Sequence, residues 1–214
     1  MPSPPPLPTV AILALPEASA SVIYGMYDLF RSAGRDWGLA TTGTPGPELF
    51  RPVVVAAQRG ALAVANGITV TAEASLDEIG APEIVCVPEV LPTPNVPLDG
   101  RFHTEIAWLR RCHAQGAIIA SACSGALLLA EAGLLDGEEA TTHWAFCDLL
   151  RERHPAVKLH PQRALVTAGA GQRLVMAGGG VSWFDMALYL IARIAGVEAA
   201  MQTARVNLID WHAI

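Results

Sequence analysis

Cys123 is the residue of this 214-residue chain whose type and setting suit covalent chemistry. It lies in AIIASACSGALLLAEAG, residues 117–133. An apolar strand-like run, Ala117 to Ala122, meets a helix-like run, Ser124 to Ala132, that is apolar almost all round. Only Cys123-Ser124-Gly125 stands between them. So tight a bend lifts the Cys123 side chain to the carboxyl end of a sheet, where open α/β folds bind ligands. The helix start behind it offers free backbone N–H groups and a positive dipole end. Both favour a thiolate, so the thiol is expected to be more acidic than a free one. Gly125 removes a Cβ where the bend is tightest. Cysteine is also among the most buried residue types, and an inert packed thiol is the alternative.

The elements that would position this bend alternate between strand and helix. Thr9 to Leu15 and Ile84 to Val87 are unbroken apolar runs, as strands of a parallel sheet are when buried on both faces. Pro16 and Pro88 end them. Ser19 or Ser21 is placed to cap a helix carrying Val22, Met26, Leu29 and Ala33, closed by Gly34. Residues 35–50 are predicted to be irregular. Pro52 to Ala57 and Gly67 to Thr71, with an Asn66-Gly67 turn, are predicted to form a small antiparallel addition at a sheet edge. Residues 92–100 form a Pro-rich loop. Phe102 to Gln115 is predicted helical with Ile106, Leu109 and Cys112 inward, and Thr142 to Arg153 is a second amphipathic helix. Leu165 to Ala168 and Arg173 to Ala177 flank a hairpin turn at 170–172. A helix follows Gly178-Gly179-Gly180 with Val181, Phe184, Leu188, Ile191 and Ala195 on one face, and a last helix spans roughly 198–209. The pattern is that of a doubly wound α/β fold with a mostly parallel sheet. Residues 1–8 are expected to be a disordered leader and 9–214 a single domain.

The totals exclude several classes. The formal net charge is −6 and no cluster of five Lys/Arg occurs, so this chain lacks the electrostatic footprint of a nucleic-acid binder. No apolar run reaches membrane-spanning length, and the N-terminus lacks the basic start of a signal peptide. Cys86, Cys112, Cys123 and Cys147 show no CxxC spacing, so free thiols in a reducing cytoplasm are expected. No metal and no cofactor is implied. Charged residues are only 16% of the chain, as a dimer, a missing neighbouring domain or a large two-sided core would explain.

The segment ASACSGALLLAEAGLLDGEEATTHW, residues 120–144, resembles the nucleophile-elbow segment of the DJ-1/PfpI superfamily. It is most similar to the amidotransferase-like domain that precedes an AraC-type DNA-binding domain in one class of bacterial transcription regulators. The opening strand and helix fit, as does AGGGVSWFDMALYLIARIAG near the end. The resemblance implies a flavodoxin-like three-layer sandwich with the cysteine at the elbow, and a homodimer. It places Cys123 on the elbow cysteine and His143 on a histidine near it, where a neutral imidazole could take a proton. His143 reads equally as a helix-start residue packed beside Trp144. Asp185 is placed to bond a nearby backbone N–H.

Two departures bear on catalysis. Enzymes of the superfamily place an acid on the helix after the first strand, hydrogen-bonded to the cysteine, and here that position falls at Val22. Glu17 lies five residues earlier, able to reach the site only if its loop folds inward. The Gly-Gly common after the strand ending at Val87 is replaced by Pro88-Glu89-Val90. Glu89 either faces the cleft or is a solvated loop carboxylate. Three functions follow. The first is a cytoplasmic small-molecule sensor that binds its ligand with Cys123, Ser124, Gly125, His143, Glu89 and Val90, and meets DNA only through a separate domain beyond the abrupt end at Ile214. The second is a stand-alone hydrolase or hydratase, isonitrile hydratase-like or glyoxalase-like, using Cys123, His143 and the Ser124 and Val90 N–H groups. The third is an oxidation sensor at Cys123. The missing acid weighs against catalysis.

Overall fold

Runs of apolar residues with no polar alternation can be satisfied only between two layers of helix, and the centre of this fold is built from such runs. A computed structural model describes residues 5–90, 98, 100–179 and 181–210. In chain order the elements are β1 (Thr9–Leu13), α1 (Ala20–Ser32), α2 (Arg35–Thr42), β2 (Arg51–Ala56), β3 (Gly60–Ala63), β4 (Thr69–Ala72), β5 (Ala74–Ser75), β6 (Ile84–Val87), α3 (His103–Ala114), β7 (Ile118–Ala122), α4 (Ala126–Glu131), β8 (Glu139–Ala140), α5 (Cys147–Arg153), β9 (Lys158–Leu159), β10 (Leu165–Ala168), β11 (Leu174–Ala177), α6 (Trp183–Ala195) and α7 (Val197–Val206). Every residue of β1, β6, β7 and β11 is buried.

The main sheet has seven strands in the order β10-β11-β7-β6-β1-β2-β5. All neighbours are parallel except β10 with β11. From β1 the chain moves outward to β2, whereas from β6 it moves the opposite way to β7. Right-handed crossovers therefore put α1 and α3 on opposite faces, giving three layers. The packing agrees: α1 meets α6 on one face, and α3 meets α4 on the other. The reversal leaves a crevice beyond the carboxyl ends of β1 and β6. The α1–α6 contact is close because Gly25 has no side chain; a Cβ there would lie 2.5 Å from the Trp183 ring.

Several expectations are corrected. Residues 35–42 are helical, ended by Gly43 in the left-handed conformation. None of α2's residues is buried, so its sequence carries no apolar stripe to read. The segments near 52–57 and 67–71 do not pair with each other. β2 joins the parallel sheet beside β1, while β4 pairs antiparallel with β3 in a separate hairpin. The helix placed at 142–153 begins only at Cys147, after a 3-10 turn at Trp144–Phe146. Val181 is 74% exposed and precedes α6 instead of packing on its inner face. Ser19 precedes α1, but its hydroxyl makes no capping bond. The hairpin at 165–177 is as expected. Most of the loop expected at 92–100, and residues 1–4 of the leader, lie outside the described residues. Among the described residues no helix is long and apolar enough to cross a membrane.

Cys86 sits in the middle of the sheet with no exposed surface, and burial pushes its thiol up to about 12. A folded-state value above the unfolded one stabilises the fold below the unfolded value and is lost as pH rises through the folded one. Stability should therefore fall between roughly pH 9 and 12 by about 1.4 kcal/mol per pH unit from this thiol alone. Urea unfolding of the wild type and Cys86→Val across that range should show the variant's stability falling less steeply.

Candidate functional site

The elbow at the end of β7 is a strained bend held by three tethers. Cys123 has φ 55°, the left-handed region that a side chain disfavours, at a cost of about 1–3 kcal/mol. Gly125 lies against the backbone of β6: an added Cβ would sit 2.8 Å from the Val87 carbonyl oxygen and closer still to that of Pro88. Ser124 is fully buried; its hydroxyl accepts the Val90 N–H at 3.1 Å and donates to the Val90 carbonyl. The Thr142 hydroxyl donates to the Cys123 carbonyl at 2.9 Å.

These tethers decide the chemistry of the thiol. Cys123 is partly buried, and that burial raises its pKa above 9.0 more than the Ser124 amide and hydroxyl lower it; the Glu89 carboxylate raises it further. The acidic thiol expected from the helix start is thus corrected. Burial of the sulfur outweighs the Ser124 amide and hydroxyl at the start of a short helix. An oxidation-prone thiolate is disfavoured on the same ground.

Glu89 is buried, 7% exposed, and its Oε1 accepts the Ser19 N–H at 3.0 Å. The solvated-loop alternative is excluded. The carboxylate reaches across the crevice between β6 and β1 and accepts the N–H of Ser19, the N-cap residue of α1, the group that an N3 carboxylate takes in a capping box. Glu17, from the same β1–α1 loop, pairs with Arg101, whose guanidinium also lies 4.9 Å above the Phe102 ring. Val22 stands half-buried in α1, where the resemblance places the enzymes' acid. The Val90 N–H, assigned above as an oxyanion donor, is bonded to Ser124, and Val90 is fully buried.

His143 is half-buried, next in the chain to the Thr142 tether. Its Nδ1 accepts the Ala145 N–H at 3.3 Å, and its ring lies 5.3 Å from Trp144 and 6.0 Å from Phe146. With Nδ1 accepting, the neutral ring carries its proton on Nε2 and can donate it to a bound group. Trp144 is 77% exposed beside it. Asp185 falls in the first turn of α6. Sequence reasoning missed Thr142, Arg101 and the capping role of Glu89. Thr142 lay inside a recognised segment without a role assigned to it, and the other two act across 70 or more residues of chain. Among the described residues no group of three or more His, Cys, Asp or Glu could hold a metal ion.

Gly125→Ala should cost about 1–3 kcal/mol, since the obstacle is backbone that cannot rotate away. Ser124→Ala, which frees both polar groups of Val90, should cost a comparable 1–3 kcal/mol or so. Chemical denaturation of each variant checks both, and a neutral result for either would remove that tether from the account.

The chain is similar to known proteins in sequence and in fold. The DJ-1/PfpI family matches residues 10–170. The HTH-type transcriptional regulator CdhR of Pseudomonas aeruginosa is 30% identical over 157 residues, 73% of this chain and 44% of CdhR. This chain therefore spans less than half the length of that relative. The isonitrile hydratase of Pseudomonas putida is 38% identical over 93 residues, 44% of this chain and 38% of the hydratase. The crystal structure of an AraC family transcriptional regulator from Pseudomonas putida superposes with a TM-score of 0.74 at 20% identity, covering 94% of this chain and 100% of that one. With the family matched over most of its length and the elbow in place, this chain belongs to the DJ-1/PfpI family.

Proposed function

We propose that this chain is the small-molecule-sensing part of a cytoplasmic transcription regulator. Its ligand lies against Cys123, the Ser124 amide, Gly125, Glu89 and His143. The chain works as a homodimer, and DNA is met by a separate helix-turn-helix domain. The observation that carries this reading is the likeness to CdhR over 157 residues. The net charge of −6 supports placing the DNA contacts elsewhere, since phosphate binding draws on clustered cations.

The site's chemistry supports binding over turnover. The thiol is held protonated, Val22 stands in place of an acid, and Glu89 is engaged with the α1 N-terminus. Proton transfer in a hydration needs a partner poised at the nucleophile. What remains is a half-buried thiol, an imidazole donor and an exposed indole, groups that can hold a small molecule in place.

The second reading, a cysteine-dependent hydratase or hydrolase, is favoured by the 38% identity to isonitrile hydratase over 93 residues. One assay separates the two. The purified chain is incubated with cyclohexyl isocyanide, a primary amide and methylglyoxal, beside Cys123→Ala. The sensor reading expects no turnover above the variant's, and no retardation of DNA by this chain at about 150 mM salt. Turnover abolished by Cys123→Ala would establish the enzyme instead.

A further inference from the structure

We propose that two copies of this chain pair through the outer face of α7, the helices running antiparallel about a two-fold axis between Met201 and Gln202. This locates the homodimer of the proposed function and rests on it, but not on the ligand. A surface helix buries one face and turns a polar one to water. α7 buries Ala199, Ala200, Thr203 and Ala204, yet its outward face carries Val197, 59% exposed, and Met201, also exposed. Ile194 in the last turn of α6 and Leu208 just past α7 extend this apolar surface at its two ends. α2 packs beside α7, and its Leu39 is exposed as well. Leu208 has no use within one chain. Its N–H bonds the Arg205 carbonyl, and the N–H of Ile209 bonds that of Ala204. These are the paired bonds of a helix end that turns through a left-handed residue. Leu208 is that residue, with φ 52°. Glycine takes such a position freely, whereas a leucine strains the backbone there. At 92% exposure nothing in its own chain removes its hydrocarbon from water. A second surface laid over it would do so.

The charges identify that surface. Glu198 lies in the first turn of α7 and Arg205 in the last. Their spacing is close to two helical turns, so both stand on the exposed face, towards opposite ends. Among the described residues Arg205 makes no ion pair, and Glu198 accepts only the Gln202 amide, at 3.1 Å. A two-fold contact sets a face against itself, so that residue i of one copy meets residue j of the other, and j meets i. With the axis between Met201 and Gln202, each Glu198 faces the Arg205 of the other copy. The two Met201 side chains meet near the axis. Leu208 of one copy reaches the α6–α7 corner of the other, where Ile194 and Val197 are exposed. A parallel pairing would instead set Glu198 on Glu198 and Arg205 on Arg205, which like charges oppose. The antiparallel one also lays the positive end of each helix dipole beside the negative end of the other. A second copy is the partner certain to carry the matching charges at the matching spacing.

The test is sedimentation equilibrium of the chain beside Met201→Glu, Glu198→Arg, Arg205→Glu and the double variant Glu198→Arg/Arg205→Glu. These positions are exposed, so each variant should keep the wild-type circular dichroism. The wild type should be a dimer and Met201→Glu a monomer. Each single reversal sets like charges together twice per dimer and should raise the dissociation constant about tenfold. The double variant should restore it, and an equimolar mixture of the two single variants should dimerise more tightly than either alone. A monomeric wild type would overturn the assignment and the homodimer with it, leaving this face to a following domain or another protein and the elbow reading untouched. A dimer indifferent to Met201→Glu would overturn the assignment alone and move the homodimer's interface elsewhere. Single reversals that weaken the dimer, with no rescue by the double variant or the mixture, would overturn the antiparallel register.

Discussion

The structure depends on one two-way contact, the hydroxyl of Ser124 bonded to both the N–H and the carbonyl of Val90. Cys123 occupies a backbone conformation that costs free energy, and a chain left to itself would relax out of it. The contact fixes the bend to the loop after β6, Gly125 lets the two backbones close, and Thr142 holds the Cys123 carbonyl from a third direction. Buried hydrogen bonds of this sort are worth more through what breaking them exposes than through their net gain. The same packing that holds the bend also surrounds the sulfur, which is why the thiol is raised and not lowered.

Strain at the elbow and the state of the thiol are thus one matter. An elbow of this form suits a nucleophile when an acid stands beside it to move the proton. Here the carboxylate nearest in function, Glu89, is turned to a structural use, capping α1 across the crevice. Its negative charge opposes a thiolate at Cys123. The family's fold is retained, with Val22 at the position where the resemblance places the enzymes' acid and Glu89 bonded to the start of α1.

What the sequence made legible, and what it did not, follows from range. β1, β6 and β7 were readable because burial on both faces leaves an unbroken apolar run. The elbow was readable because strand and helix meet within three residues. α2 was not, since a helix with no buried residue carries no stripe. The partners of Glu89 and Glu17 were not, since Ser19 lies 70 residues from the one and Arg101 lies 84 from the other. The direction of the Cys123 shift was misjudged for a related reason: the amide behind the sulfur is visible in the local sequence, whereas the amount of hydrocarbon around it is set by the whole fold.

Whether this elbow binds or reacts turns on the protonation of Cys123. Its rate of alkylation by iodoacetamide, followed by mass spectrometry of the Cys123 peptide across pH, reports the thiolate fraction. The account predicts a midpoint above the ordinary thiol value of 9.0, moved downward in Glu89→Gln, which keeps the size of the side chain and removes its charge. A midpoint well below that value, unmoved by Glu89→Gln, would mean an activated nucleophile and would contradict the reading of this elbow as a binding site.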